Sequence, residues 1–210
     1  IVNLATLLNI TKKRNRVILM AGGLGTRLRP LTQDIPKPLL KVGNKPILET
    51  IIKNFANHGF VNITISLNYK GEMIKDYFGD GSNFGVNIDY VEENMRLGTA
   101  GALSLIENKP NEAFFVMNAD LLTDVNFSHL LDFHSFSNSD ATMCVREYEY
   151  QVPYGVIEVE ESNVTSIVEK PIQKFFVNAG IYVLSPKVFD YIPKNEFYDM
   201  PTLFNTFIEK

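Results

Sequence analysis

The 210 residues include a single cysteine and three histidines, and no apolar run comes near the roughly 20 residues needed to cross a bilayer. With only Cys144, no internal disulfide can form, which fits a cytoplasmic chain. The thiol lies in the apolar stretch Ala141-Thr-Met-Cys-Val145, so a packed side chain is expected there rather than a nucleophile. His58, His129 and His134 show no metal-ligand grouping and read as ordinary helix residues. Neither an initiator Met nor a basic-then-apolar leader opens the chain, which reads as a fragment rather than a secreted precursor. A broad basic face is also missing. Residues 1–45 hold nine Lys/Arg against Asp34 alone, and residues 46–210 hold eleven against twenty-three Asp/Glu. A nucleic-acid surface needs positive charge over a wide face, so nucleic acid is not an expected partner and a small anionic ligand near the amino-terminal region is.

What is present is concentrated in residues 20–38. The apolar run Arg16-Val-Ile-Leu-Met-Ala21 is short enough for a buried strand. It empties into Gly22, Gly23 and Gly25, where the backbone can turn tightly and bare N–H groups can approach a phosphate. Arg27 and Lys37 follow, a planar fork and a mobile point charge. Two common glycine-loop readings are excluded. No Lys-Ser/Thr follows the glycines, as a P-loop requires, and Leu28 stands where a dinucleotide fingerprint needs glycine or alanine.

Along the rest of the chain, short β-like runs alternate with helical patterns, which predicts an α/β fold with a mainly parallel sheet flanked by helices. Ile47, Leu48, Ile51, Ile52, Phe55 and Ala56 mark an amphipathic helix that Gly59 can end. Strands are expected at 61–67, 86–92 and 113–117, the last buried and delivering Asn118-Ala119-Asp120 at its carboxyl end, and helices at 72–78 and 99–106, the second capped by Thr99. Asn126 can cap a further helix. From Asp140 onward the pattern becomes strand-rich, at 141–145, 155–159, 165–169 and 177–184, before Asp199 caps a closing helix that runs through Ile208. Phe175-Phe176 reads as core or lid. The opening Ile1–Ile10 carries helical periodicity, and residues 1–14 are expected to be a linker or the tail of an upstream domain, with 15–210 forming one domain.

The string Met20-Ala-Gly-Gly-Leu-Gly-Thr-Arg-Leu-Arg-Pro-Leu-Thr-Gln-Asp-Ile-Pro-Lys-Pro38 resembles the signature of the sugar-1-phosphate nucleotidylyltransferases, and further motifs follow in that family's order to the end of the chain. The resemblance implies a Rossmann-like mixed sheet with a strand-rich sugar-binding portion. It implies that Ala21, Gly22, Gly23, Gly25 and Thr26 form the nucleotide loop, that Arg27 grips the departing part of the triphosphate, and that Lys37 sits near the α-phosphate. Asp120 corresponds to the family's metal-binding position. A carboxylate after a buried strand suits Mg²⁺, which takes one or two carboxylates and completes its shell with phosphate oxygens and water. A second metal aspartate usually comes from a later Trp-x-Asp-x-Gly segment, which this tryptophan-free sequence does not contain. Asp199 is adequately explained as a helix cap.

Glu92-Glu-Asn-Met-Arg-Leu-Gly-Thr-Ala-Gly-Ala102 resembles the base-reading segment, with Gly98, Thr99 and Ala100 bringing backbone close to the base and Glu93 as side-chain reader. A carboxylate only accepts, and so matches the adjacent N1–H and N2–H₂ donors of guanine; a glutamine would better suit thymine or uracil. Arg96 stands where the family often has proline. On the sugar side the resemblance rests on Tyr154-Gly155, Glu169-Lys170-Pro171 and Asn178-Ala179-Gly180, with Lys170 neutralising the sugar phosphate and Glu169 and Asn178 bonding sugar hydroxyls. The expected activity is transfer of a nucleotidyl group, guanylyl by preference, from a nucleoside triphosphate to a sugar 1-phosphate. Thymidylyl, uridylyl or cytidylyl transfer stays open, as does a non-catalytic nucleotide- or sugar-binding relative. No membrane partner is expected, and a homo-oligomer is compatible with the resemblance.

Overall fold

The computed structural model describes residues 11–209, so the expected helix at Ile1–Ile10 lies outside the described residues. The first apolar run forms β1 (Val17–Met20), whose first three residues are buried. Two short strands, β2 (Lys41–Val42) and β3 (Lys45–Pro46), form a hairpin that leads into α1 (Ile47–Asn57). The periodic apolar positions of α1 face inward. Gly59 then takes a left-handed conformation (φ 87°), and the Phe60 N–H bonds back to the Phe55 carbonyl at 3.1 Å to end the helix.

Next come β4 (Asn62–Leu67), α2 (Gly71–Phe78), β5 (Asn87–Glu92), α3 (Gly98–Gly101), β6 (Phe114–Asn118) and α4 (Phe127–Ser137). The Asn126 side chain caps α4 by accepting the His129 N–H at 3.0 Å. Strands β7 (Ala141–Gln151), β8 (Gly155–Glu160), β9 (Asn163–Glu169) and β10 (Ile172–Leu184) follow, and α5 (Met200–Ile208) closes the chain, capped by Asp199 with Pro201 in its first turn.

The central sheet has the order β5-β4-β1-β6-β10-β7. β5, β4, β1 and β6 run parallel, and β10 pairs antiparallel with β6. After β1 the chain builds outward through β4 and β5, then returns to place β6 on the other side of β1. That reversal is a topological switch point, where open α/β sheets form ligand crevices at the strands' carboxyl ends. Behind β6, Phe55 and Phe127 stack at 3.7 Å, with Phe60 and Phe115 edge-on, which fixes α1 and α4 against the sheet.

Two compact units divide the chain: residues to 142 together with those from 181, and Met143–Gly180. The second holds the antiparallel β8–β9 hairpin and the adjoining parts of β7 and β10. Its strands run longer than the periodicity predicts. Most of their residues are exposed on both faces, so no inward/outward alternation marks their ends. Phe175 and Phe176 are exposed rather than core, at 49% and 76%. Cys144 is half-buried, and burial raises its thiol pKa.

The expected helix at 99–106 is only one α-turn followed by a 3-10 turn over Ala102–Leu105. Thr99 does not cap it. The Thr99 hydroxyl instead accepts the Met200 N–H at 3.1 Å, and the Ala100 and Gly101 N–H groups go to the Tyr198 carbonyl at 3.1 and 2.7 Å. A segment a hundred residues away satisfies the turn, which local sequence cannot disclose. Among the described residues no helix is long and apolar enough to cross a membrane.

Candidate active site

The carboxyl ends of β1, β4, β5 and β6 deliver four loops to one edge of the sheet. Backbone bonds extend the ladders into them: Ala21 N–H to the Ser66 carbonyl (2.9 Å), Glu93 N–H to Leu67 (2.8 Å) and Ala119 N–H to Met20 (3.1 Å). Two adjoining cavities open there, of about 490 and 320 Å³, with Gly22, Gly23, Lys37, Arg96 and Asp120 common to both.

The larger cavity is walled by the glycine loop from Gly22 to Leu28, including Thr26 and Arg27. Gly25 turns with φ 63°, and a Cβ there would come within 2.9 Å of the Thr32 methyl. Buried Thr32 braces the turn by donating its hydroxyl to the Gly25 carbonyl at 2.7 Å. Lys37 Nζ is ion-paired with Asp120 Oδ2, both side chains about one-third exposed. The expected phosphate lysine and metal aspartate therefore meet at the mouth shared by the two cavities.

The smaller cavity is lined by Glu93, Gly98, Thr99, Asn118, Phe197 and Asp199 beside the shared residues. Glu93 is held rigidly. Its Oε1 accepts the Ser66 hydroxyl at 2.7 Å, its Oε2 accepts the Leu97 N–H at 3.3 Å, and its carbonyl accepts the Asn68 amide at 3.1 Å. Gly22 packs on the same carboxylate, where a Cβ would fall 2.8 Å from Oε1. Gly98 has φ 79°, and a Cβ there would lie 2.7 Å from the Tyr198 carbonyl. Only glycine allows the strap at 196–200 to pack this closely on the turn at 98–101. Ala100 is fully buried behind that turn, its N–H spent on Tyr198, and it does not line the cavity.

The sugar-side residues lie in the second unit. Gly155 pairs in register with Glu169, whose Oε2 is 3.0 Å from where a Gly155 Cβ would stand. The Lys170 N–H bonds the Tyr154 carbonyl at 3.2 Å, so Tyr154, Gly155, Glu169 and Lys170 gather at one end of the β8–β9 hairpin, all exposed. Lys170 has φ 48°, a conformation a lysine adopts at a cost. Asn178 stands apart on β10, where its Oδ1 accepts the Gly180 N–H at 2.8 Å.

The model of the family described as "Nucleotidyl transferase" matches residues 16–208. The chain belongs to that family. Its relatives include a mannose-1-phosphate guanyltransferase of Yarrowia lipolytica, 40% identical over 183 residues, covering 83% of this chain and 50% of that protein. The Saccharomyces cerevisiae mannose-1-phosphate guanyltransferase is 39% identical over 186 residues, covering 83% of this chain and 51% of that one. The chain thus spans about half the length of the curated relatives it matches. Among solved structures, HddC from Yersinia pseudotuberculosis complexed with GMP-PN superposes with a TM-score of 0.66 at 31% identity, covering 88% of this chain and 82% of the other.

Nucleotidyl transferases of this family generally use a divalent metal. Among the described residues, no three His, Cys, Asp or Glu side chains gather to hold one. Asp120 supplies the one carboxylate in the lining of the larger cavity, a donor set that fits a hard ion drawing its other ligands from phosphate and water. Asn118, Phe197 and Asp199 are among the lining residues that sequence reasoning did not assign to a ligand site. Asp199 does cap α5, its Oδ1 accepting the Thr202 N–H and hydroxyl at 2.9 and 2.6 Å, and the residue also lines the cavity. Those bonds, the hydroxyl's foremost, lower its pKa. Asn118 was readable as the residue before Ala119-Asp120; Phe197 had no signal short of the strap.

Proposed function

We propose that this chain transfers a guanylyl group from GTP to a sugar 1-phosphate, releasing pyrophosphate and forming a GDP-sugar. The observation that carries the reading is the fixed Glu93 carboxylate, held by Ser66 and Leu97 in the wall of a cavity that also contains Gly22, Lys37 and Asp120. An immobile acceptor pair beside glycine backbone matches the two adjacent donors on the guanine edge. The names of the relatives support guanylyl over other groups and make mannose 1-phosphate the first sugar to test.

In this reading the backbone of Ala21, Gly22, Gly23 and Gly25, with Thr26, cradles the triphosphate. Arg27 holds the β- and γ-phosphates that leave. Lys37 turns from Asp120 to the α-phosphate and stabilises the charge that develops as a sugar-phosphate oxygen attacks in line. A Mg²⁺ ion held by Asp120 and phosphate oxygens supplies further charge neutralisation when bound. Glu169, Lys170, Tyr154, Gly155 and Asn178 are the residues proposed to bind the sugar phosphate. Calorimetry with GTP, dTTP, UTP, CTP and ATP in Mg²⁺, followed by product analysis with mannose 1-phosphate, tests it. Selective GTP binding and GDP-sugar formation are expected; selectivity for another base discards the guanylyl assignment, and failure of the full gene product to form any nucleotide sugar leaves only a binding role.

A further inference from the structure

The larger cavity carries three cationic side chains, Arg27, Lys37 and Arg96, against one carboxylate, Asp120. Lys37 is already matched with that carboxylate, while Arg27 and Arg96 form no ion pair among the described residues. Arg96 lies on the loop after β5 and lines both cavities, so it stands where the base compartment meets the glycine loop. Its guanidinium lies over the Phe197 ring, 5.9 Å from the centroid. A cation–π contact of this kind uses the guanidinium's charge and none of its N–H donors, which can still fork onto phosphate oxygens. The ring also limits how far the long side chain can wander, so less freedom is lost when it binds.

We infer that Arg96 is a third cationic ligand for the nucleotide's polyphosphate and the second fork on its terminal phosphates, with Phe197 as its backstop. This role rests on the nucleotide assignment made above and extends it by one residue that the family resemblance does not supply. Arg27 and Arg96 approach the polyphosphate from different loops, Arg27 from the turn after β1 and Arg96 from the turn after β5. Two forks from two loops discriminate a triphosphate from a monophosphate, because the monophosphate retains base, ribose and α-phosphate contacts but gives neither fork its terminal oxygens.

The test is GTP and GMP binding by calorimetry, in Mg²⁺ at one salt concentration, to the unaltered chain and to Arg96→Met and Arg96→Lys. Arg96 is exposed, and thermal melting of each variant checks that the fold is retained. Arg96→Met is expected to weaken GTP by about 10- to 100-fold, the range for a charge-assisted bond, with GMP changed by less than about twofold. Arg96→Lys, keeping charge but not the fork, should recover part of the loss. Equal weakening of GTP and GMP would make Arg96 a packing residue of the base pocket and overturn the inference. So would unchanged GTP binding accompanied by a raised KM for sugar 1-phosphate. If the unaltered chain prefers no triphosphate to monophosphate, the nucleotide assignment itself falls and the inference with it.

Discussion

The strand ends around Gly22 and the hairpin at Met143–Gly180 carry the two halves of the proposed chemistry on opposite physical terms. In the first, the glycine loop and Asp120 follow strands that are largely buried, and local positions are set by bonds such as Ser66 to Glu93 and Thr32 to Gly25. In the second, Tyr154, Glu169 and Lys170 sit at or just beyond the ends of β8 and β9, strands without a buried residue that expose Ile157, Val159, Ile167 and Val168. The nucleotide half is pre-organised by a core beneath it. The hairpin has no such core within its own unit, and what holds its residues is cross-strand pairing and backbone geometry.

The largest expected effects lie in the first region. Asp120→Ala removes the one carboxylate in the lining of the larger cavity and takes the ion-pair partner from Lys37 Nζ. Turnover of the gene product should fall by about 10²–10³-fold, the cost typical of losing one preorganised charge-stabilising group. Steady-state kinetics at saturating Mg²⁺ measures it, and near-normal turnover would sink the metal assignment. Glu93→Gln comes next. It keeps the geometry but turns one acceptor into a donor, so GTP binding should weaken by about 10- to 100-fold while dTTP or UTP gains. An unchanged base preference in the calorimetric series would take Glu93 out of base reading.

How legible each region was follows the same division. The alternation of apolar runs and the glycine string disclosed β1, β4, β6, α1 and α2, because burial on a parallel sheet imposes long apolar runs and glycine marks the turn. The caps at Asn126 and Asp199 were readable because capping is local. The strap over Gly98 was not. That Gly98 must lack a Cβ because of the Tyr198 carbonyl, or that Thr99 serves Met200 rather than its own helix, is a tertiary fact with no local trace. Asp199 shows the limit well: its cap was visible, and its place in the cavity lining was hidden behind that sufficient explanation. In the hairpin, motif order located Tyr154 and Lys170, but exposure on both faces erased the alternation that would have given the strand ends.

A substitution at Lys170 separates a held functional residue from a structural one. Its left-handed backbone costs a lysine about 1–2 kcal/mol, which glycine does not incur, although glycine gives back up to about 1 kcal/mol in unfolded-state entropy. Lys170→Gly should therefore leave the melting temperature nearly unchanged or slightly raised. If the ammonium binds sugar phosphate, the same variant raises KM for sugar 1-phosphate by about tenfold and leaves GTP affinity intact. A loss of GTP affinity equal to the loss for sugar phosphate would break the division of labour between the two regions.

The smallest expected effect on the site comes from a charge that belongs to the first region's scaffold and lines neither cavity. Glu49 on α1 is only 6% exposed, and its carboxylate accepts Lys53 Nζ at 2.5 Å and the Tyr77 hydroxyl at 2.7 Å, tying α1 to α2. The Lys53 bond, and then that of Tyr77, outweigh burial and hold its pKa below the usual value. A carboxylate whose pKa is depressed on folding binds protons more readily when unfolded. Its contribution is therefore complete above the unfolded value of about 4.3 and fades as pH falls through the lower folded value. Glu49→Gln should cost about 1–2 kcal/mol at neutral pH, the modest end for a charged bond because Lys53 is half in water. Denaturant melts at descending pH should then show the two proteins converging below about pH 4, while GTP affinity at neutral pH stays the same for both. A constant gap across that range would mean that the neutral hydrogen bonds, and not the charge, join the two helices.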